Sequence, residues 1–508
     1  MPHVVTQSCC GDASCVYACP VNCIHPTPDE PDFLTSDMLY IDPVACVDCG
    51  ACVTACPVDA IVPHDRLPES QEPFASINEA FYRDGRVRPL LAPHVPPLTV
   101  SAGREPLDVA IVGTGPAAMY AADELLTVPG ARVTMYERLS VPYGLARTGV
   151  APDHVRTRQV GDLFDRIAAQ DGIRIVHGTQ VGRDVTHQDL LDRHHAVVYA
   201  VGASADRRLD VPGRDLPGTA TATEFVAWYN GHPDHAGRRF DLSHERAVIV
   251  GNGNVALDVA RILTADPEHL AGTSIAPRAL EALRDGRVQE VVIVARRGVA
   301  HSAFTLPELV GLMQLTGIDL VLDSADLDTG LDTGPDTGPD TGTGALGHAA
   351  AQKLRLLREL AERPATGNGK RIVLRYLASP LAIVGDDRVQ GVELVRNAYV
   401  PGSGDRVEPT GERETLDAGL VLSSIGYRGT AVPGVPFDEA RAVIPNAGGR
   451  VLAEPGGAVL PGVYATGWIK RGPTGFIGTN KQDAMETVRH LVEDYSEGRL
   501  RAPRASLV

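Results

Sequence analysis

Asp108-Val109-Ala110-Ile111-Val112-Gly113-Thr114-Gly115-Pro116-Ala117-Ala118 decides the fold of this 508-residue chain. Five residues suited to a buried strand run directly into Gly-x-Gly-x-x-Ala and then a helical stretch to Leu126. In such a turn the first glycine permits a tight reversal and the second lets the backbone approach a pyrophosphate. The small third residue, here Ala118, lets helix and strand pack closely. The helix N-terminus then faces the phosphates. The next strand, Val133-Thr134-Met135-Tyr136, ends in Glu137, where an acid can hold a ribose hydroxyl. An acid there excludes a 2'-phosphate, so Gly113, Gly115, Ala118 and Glu137 are expected to bind FAD or NAD.

A second copy follows. Ala247-Val248-Ile249-Val250 leads into Gly251-Asn252-Gly253-Asn254-Val255-Ala256 and a helix through Leu263. The strand after it, Val291-Val292-Ile293-Val294, ends not in an acid but near Arg296 and Arg297. Guanidinium groups bind phosphate through paired hydrogen bonds, so this site is expected to take NADP(H), with Gly251, Gly253, Asn254, Val255, Arg296 and Arg297 around it. The gap before the arginines leaves room for an inserted segment near residues 264–287. Strands alternating with helices from Asp108 onward predict an α/β architecture of two Rossmann-like, three-layer dinucleotide-binding domains.

All nine cysteines lie before residue 57. Cys46-x2-Cys49-x2-Cys52-x3-Cys56-Pro57, preceded by Cys15-x3-Cys19-Pro20, has the two-cluster spacing of bacterial ferredoxins, in which the last cysteine of each run serves the other cluster. Zinc favours two separated ligand pairs, and disulfides need an oxidising compartment. The start of the chain shows neither a basic nor an apolar leader region, so a reduced cytoplasmic setting is expected. A small α+β ferredoxin domain is therefore predicted over residues 1–65. Its first run carries Asp12 where a cysteine is due. The crossing rule assigns Cys9, Cys15 and Cys56 to one cluster and Cys19, Cys46, Cys49 and Cys52 to the other. A 3Fe-4S and a 4Fe-4S centre are expected, the alternative being a 4Fe-4S cluster with Asp12 as oxygen ligand. Cys10 could replace Cys9, and Cys23 is expected to be a spare buried thiol.

Composition bounds the rest. With 44% apolar residues and no apolar run of spanning length, no membrane association is expected. The net charge is -17, and residues 1–65 hold nine Asp or Glu without one Lys or Arg, which argues against a nucleic-acid surface. That acidity is either a plain property of such modules or steers a basic redox partner. The Pro-rich residues 66–105 read as a linker or strap. Repeated Asp-Thr-Gly units near 328–345 read as a disordered insertion.

From about residue 106 to 500 the chain resembles the adrenodoxin reductase group of NADPH-ferredoxin reductases. The strings that carry this are Tyr143-Gly144-Leu145, Gly149-Val150-Ala151-Pro152-Asp153-His154, Gly253-Asn254-Val255-Ala256-Leu257-Asp258-Val259-Ala260-Arg261, Ala295-Arg296-Arg297-Gly298 and Gly467-Trp468-Ile469-Lys470-Arg471-Gly472-Pro473-Thr474-Gly475-Phe476-Ile477-Gly478-Thr479-Asn480-Lys481. With the ferredoxin module in front, the whole chain looks like the ferredoxin-fused bacterial branch. The resemblance implies an FAD domain in two pieces, 106–205 and 419–508, with an NADP domain of 206–418 between them. It puts Leu145, Gly467, Trp468, Gly475 and Ile477 at the flavin or the nicotinamide, with Ile477 under the flavin ring. His154 and Glu308 match polar residues near the reacting rings and are the candidates for a catalytic role; some relatives carry a second acid where Gly311 stands. The implied activity is hydride transfer between NADPH and FAD, then single-electron transfer through the clusters to or from an external ferredoxin or a cytochrome P450-type partner. A monomer is expected. Rival readings are a glutamate synthase small-subunit type protein and a redox sensor without turnover.

Overall fold

The computed structural model describes residues 2–504 except 102, 328–347, 368 and 404. The expected insertion near 328–345 lies outside the described residues. Asp108–Val112 is an inner strand of a seven-stranded sheet, flanked by Ala196–Tyr199 on one side and Arg132–Tyr136 on the other. Val459–Ala465 and Ile173–Val176 extend the parallel part, and Arg450–Leu452 and Asn446–Ala447 add an antiparallel edge. Successive residues of the central strand serve opposite faces. Val109 and Ile111 enter a core with the helices Pro116–Leu125 and Thr479–Ser496, while Ala110 and Val112 pack with Val463 and Ile469. That double burial is why the strand reads as an unbroken apolar run.

The second glycine motif follows Arg246–Val250 in a six-stranded, all-parallel sheet. Its strand order is Thr219–Thr221, Leu420–Ser423, Arg246–Val250, Glu290–Val294, Lys370–Arg375 and Ile318–Leu322. An antiparallel sheet of Ala378–Val384, Gly391–Tyr399 and Val407–Asp417 covers one face, where Val248 and Val250 meet Ile383, Val392 and Leu394. The gap expected near 264–287 is filled by the short helices Pro267–Ala271 and Pro277–Arg284.

Two expected boundaries move. Leu420–Ser423 is hydrogen-bonded between Thr219–Thr221 and Arg246–Val250, so the chain is still in the six-stranded sheet after residue 419. The crossing segments Ala205–Asp206 and Tyr427–Arg428 then pair with each other, a two-stranded link where the chain leaves one half and returns. The segment 66–105 is also not all linker. Helix Pro73–Phe81 seals the first module: Asn78 Oδ1 accepts from the backbone N–H groups of Val5 (3.2 Å) and Ile41 (2.9 Å), and its amide donates to the Val5 carbonyl. Farther on, Leu98 and Val100 pack against the core of the seven-stranded sheet, so that part is a strap.

The first module is built from the strand pairs His3–Val5 with Ile61–Pro63 and Ile24–His25 with Tyr40–Ile41, and from helices Ser14–Ala18 and Ala51–Ala55. Its halves repeat. Gly11, Ala13 and Asn22 have positive φ in the first half, and Asp48, Gly50 and Asp59 have it in the second. In this register Asp12 occupies the place of Cys49.

Both glycine loops make the same close approach. Gly113 (φ +101°) would carry a Cβ 2.6 Å from the Ala200 carbonyl oxygen, and a Cβ on Gly251 (φ +113°) would collide with the Ser424 carbonyl. Gly253 has no atom within 4 Å of its Cβ position. Thermal melts should therefore separate two substitutions. Gly251→Ala is expected to lower Tm by several degrees, through about 1–3 kcal/mol of backbone strain plus the clash, whereas Gly253→Ala should melt near the wild type. Equal melting of the two variants would contradict this geometry.

Candidate nucleotide clefts and iron-sulfur pockets

The first glycine loop lies at the C-terminal ends of the parallel strands, where α/β sheets bind ligands. Gly113 N–H donates to the Tyr136 carbonyl (2.8 Å), and Gly115 opens the ten-residue helix Pro116–Leu125 with nothing within 4 Å of its Cβ position. Glu137 is buried at the end of its strand, with Thr114 Oγ1 donating to one carboxylate oxygen (2.5 Å) and Leu139 N–H to the other (2.9 Å). Tyr143 N–H donates to Thr114 Oγ1, and a Cβ on Gly144 would sit 3.3 Å from Gly115 Cα, so Leu145 follows directly beside the loop. The C-terminal string reaches the same place. Gly467 (φ +75°) would carry a Cβ 2.6 Å from that of Ala117. Asp483 fixes this turn, accepting from Thr466 Oγ1 (3.0 Å) and Gly467 N–H while pairing with Lys470 and Arg471. Trp468 donates to the Thr474 carbonyl (3.0 Å) and lies 5.3 Å from the Tyr427 ring. Gly475 and Ile477 follow on the loop entering Thr479–Ser496. Ala118 is wholly buried under the strand, as close packing requires.

Gly253 opens the eleven-residue helix Asn254–Thr264. Asn254 Oδ1 accepts from Thr305 N–H (2.8 Å), tying this loop to the turn before helix Leu306–Met313, which carries Glu308. Val255 lies in the helix's first turn. Arg296 is exposed beyond the end of strand Glu290–Val294, and Arg297 pairs with Asp405. Open space at two helix N-termini, an acid after one sheet and arginines after the other fit two dinucleotides, the second with a 2'-phosphate.

Between the two loops lies a knot of charges. His154 Nε2 is 3.1 Å from Asp258 Oδ1 and 3.6 Å from Glu308 Oε2. Arg261 forks onto Asp153 (2.6 and 3.0 Å), also reaches Asp258 (2.8 Å), and stands 3.8 Å from Glu308. Burial opposes a charge on His154, but the Glu308 and Asp258 carboxylates outweigh it and push the imidazole up to about 9. Burial raises Glu308 above the usual carboxylate range. Asp258 is also buried, yet Arg261 and His154 hold it below. Glu308 Oε2 is buried without a hydrogen bond, facing His154 and Arg261 at ion-pair distance. Sequence reasoning singled out His154 and Glu308 but gave Asp153, Asp258 and Arg261 no role. The available signal was the three-residue spacing of Asp258 and Arg261, which puts them on one helix face immediately after the glycine motif.

In the first module Cys19, Cys46, Cys49 and Cys52 line one cavity. Cys23 is a fifth sulfur in its wall, 3.5 Å from Cys19 Sγ. On the other side, burial raises the Cys15 thiol well above its ordinary range, with Asp12, Cys9 and Cys56 adding to that as its neighbours. Burial pushes the Cys9 thiol up to about 12 and Cys52 up to about 11, so bound iron would be needed to keep them as thiolates at neutral pH. Asp12 turns toward its own helix: its carboxylate accepts from Ser14 N–H (3.2 Å) and Ser14 Oγ, with Lys481 Nζ at 3.9 Å. Cys10 is buried in the core of the seven-stranded sheet's helices with Tyr120 and Val58. All nine cysteines are free thiols; the first cavity is lined by five of them, and its two other donors, His3 and Asp48, pair with each other (3.1 Å), which suits iron-sulfur.

These features define a pyridine-nucleotide oxidoreductase joined to an iron-sulfur domain. Residues 107–303 match the pyridine nucleotide-disulphide oxidoreductase family, and residues 8–60 match the 4Fe-4S dicluster domain. The chain is 55% identical over 515 residues to a probable ferredoxin/ferredoxin--NADP reductase of Mycobacterium tuberculosis, covering 100% of this chain and 86% of the relative. It is 42% identical over 409 residues to the mitochondrial NADPH:adrenodoxin oxidoreductase of Bos taurus, covering 77% and 80%. The solved structure of Mycobacterium tuberculosis FprA in complex with NADPH superposes with a TM-score of 0.72 at 44% identity, covering 78% of this chain and 87% of that one. The chain belongs to the ferredoxin/ferredoxin-NADP reductase family. Among the described residues no helix is long and apolar enough to cross a membrane.

Two measurements test the charge knot. Because His154 is held above its ordinary 6.5, its contribution to stability is complete below about pH 6.5 and fades as pH rises through about 9. His154→Gln should therefore flatten the pH dependence of the denaturation midpoint between those values, and an unchanged slope would refute the assignment. Arg261→Met should cost about 3–5 kcal/mol in denaturant titrations, since it leaves buried carboxylates without their cation.

Proposed function

We propose that the chain is an FAD-dependent NADPH:ferredoxin oxidoreductase whose ferredoxin is its own first domain. The observation that carries this reading is the pair of open glycine loops, one followed by Glu137 and the other by Arg296 and Arg297, with the cysteine module held against both halves. When bound, NADPH and FAD exchange a hydride, so each NADPH leaves as NADP+ with one proton released, and two electrons pass singly through iron-sulfur to two one-electron acceptors.

The protein's part is to bind and orient. Gly115 and the N-terminus of helix Pro116–Leu125 take the FAD pyrophosphate, and Glu137 takes a ribose. Gly253 and Asn254 open the corresponding site for NADP(H), and Arg296 with Arg297 meets the 2'-phosphate, Arg297 exchanging Asp405 for it. His154 and Glu308, with Leu145, Gly467, Trp468, Gly475 and Ile477, frame the place where the rings would meet. A protonated His154 offers positive charge there, held by Asp258.

The first cluster is proposed to be 3Fe-4S on Cys9, Cys15 and Cys56, because Asp12 is committed to Ser14 and Lys481 and Cys10 to the neighbouring core. Cys19, Cys46, Cys49 and Cys52 hold a 4Fe-4S cluster. An external ferredoxin or a cytochrome P450-type protein is the proposed acceptor.

Alanine at both Arg296 and Arg297 should cut the NADPH over NADH preference about 10- to 100-fold, the worth of one or two charge-assisted hydrogen bonds; an unchanged preference in steady-state kinetics would overturn the 2'-phosphate site. EPR of the air-oxidised protein should show a three-iron signal that Asp12→Cys abolishes. Its absence from the wild type would sink the seven-thiolate assignment.

A further inference from the structure

Gly478 has ordinary helical dihedrals (φ -75°, ψ -27°), so nothing in its own backbone requires glycine. Yet a Cβ there would collide with the backbone nitrogen and Cα of Asp12, and it would lie 2.6 Å from Asp12 Cβ. What excludes a side chain is the first module, pressed against the loop that carries Gly475 and Ile477. Around this point Gly478 N–H donates to the Cys10 carbonyl (2.8 Å) and Lys481 Nζ to Ser14 Oγ (2.8 Å).

The nucleotide half makes a matching contact. Leu306 N–H donates to Asp37 Oδ2 (2.8 Å), with Lys353 Nζ 3.6 Å from the same carboxylate. Five residues along that helix, a Cβ on Gly311 would run into the side-chain amide of Gln7. The apolar cores are continuous as well: Cys10, Val58 and Ala60 share a cluster with Tyr120 and Val488, while Val4, Leu39 and Tyr40 share one with Leu309 and Leu354. A tethered domain that swings between partners would present a polar surface here rather than half of two apolar cores.

We propose that the N-terminal module is a fixed port and not a swinging carrier: it is seated across both halves on Gly478 and Gly311, and it closes this face of the reductase to any external ferredoxin. This rests on the flavin and NADP sites proposed above. External acceptors are then served at the module's outer edge, where Cys49 is exposed just after Val44, 92% exposed, and Val47, 59% exposed.

The test is amide hydrogen exchange on the full-length protein with its flavin and clusters but without nucleotide, read together with anaerobic mixing against NADPH. A fixed module should slow exchange at the Gly478 amide by roughly 100-fold or more relative to an open loop, as expected for an amide released only by subglobal opening. Gly478→Ala should speed exchange over residues 10–14, and cluster reduction by NADPH, followed by EPR, should slow at least tenfold. If Gly478→Ala does not fold, Gly311→Gln tests the same seat from the nucleotide half and should speed exchange over residues 5–9. Open-loop exchange at Gly478 in the wild type, or wild-type exchange and cluster reduction in the folded variants, overturns the proposal. Failure of NADPH to bleach the wild-type flavin would instead overturn the flavin and NADP reading, while the exchange result would stand by itself.

Discussion

The two halves of this molecule meet around one buried guanidinium. Arg261, on the helix that opens at Gly253, holds Asp153 from the flavin half and Asp258 from its own helix, and stands near Glu308 on a third element. Three carboxylates cannot be buried together without cations, so neither the cleft nor the angle between the halves is separable from this contact. His154 supplies the second positive charge. Two cations then face three carboxyl groups, and burial holds Glu308 toward its neutral form.

What was readable from the sequence was local. A strand, a Gly-x-Gly turn and a helix are neighbours in the chain, so each dinucleotide loop is announced by consecutive residues. Glu137 and Arg296 follow from the same reasoning one strand later. The gap at Asp12 was legible because cluster ligands keep strict spacing. The repeated positive-φ positions Gly11 with Asp48, Ala13 with Gly50 and Asn22 with Asp59 now give the reason: Asp12 inherits the backbone place of Cys49.

What was not readable depends on partners distant in the chain. Leu420–Ser423 has the same apolar character as the strands of either sheet, and only its pairing with Arg246–Val250 assigns it to the nucleotide half. Helix Pro73–Phe81 hides in a Pro-rich stretch because its anchor, Asn78, works through backbone groups of Val5 and Ile41. Asp153 and Arg261 stood in separate strings with no role assigned, and only folding brings them together. Gly311, which in sequence was only a missing acid, lies beneath Gln7 of the first module.

The seat of that module has a mechanical side. It spans the seam, touching the flavin half at Gly478 and the nucleotide half at Leu306 and Gly311. Any rotation of one half against the other would shear one of those contacts, in addition to the paired segments Ala205–Asp206 and Tyr427–Arg428. The iron-sulfur module is thus also a clamp on the hinge.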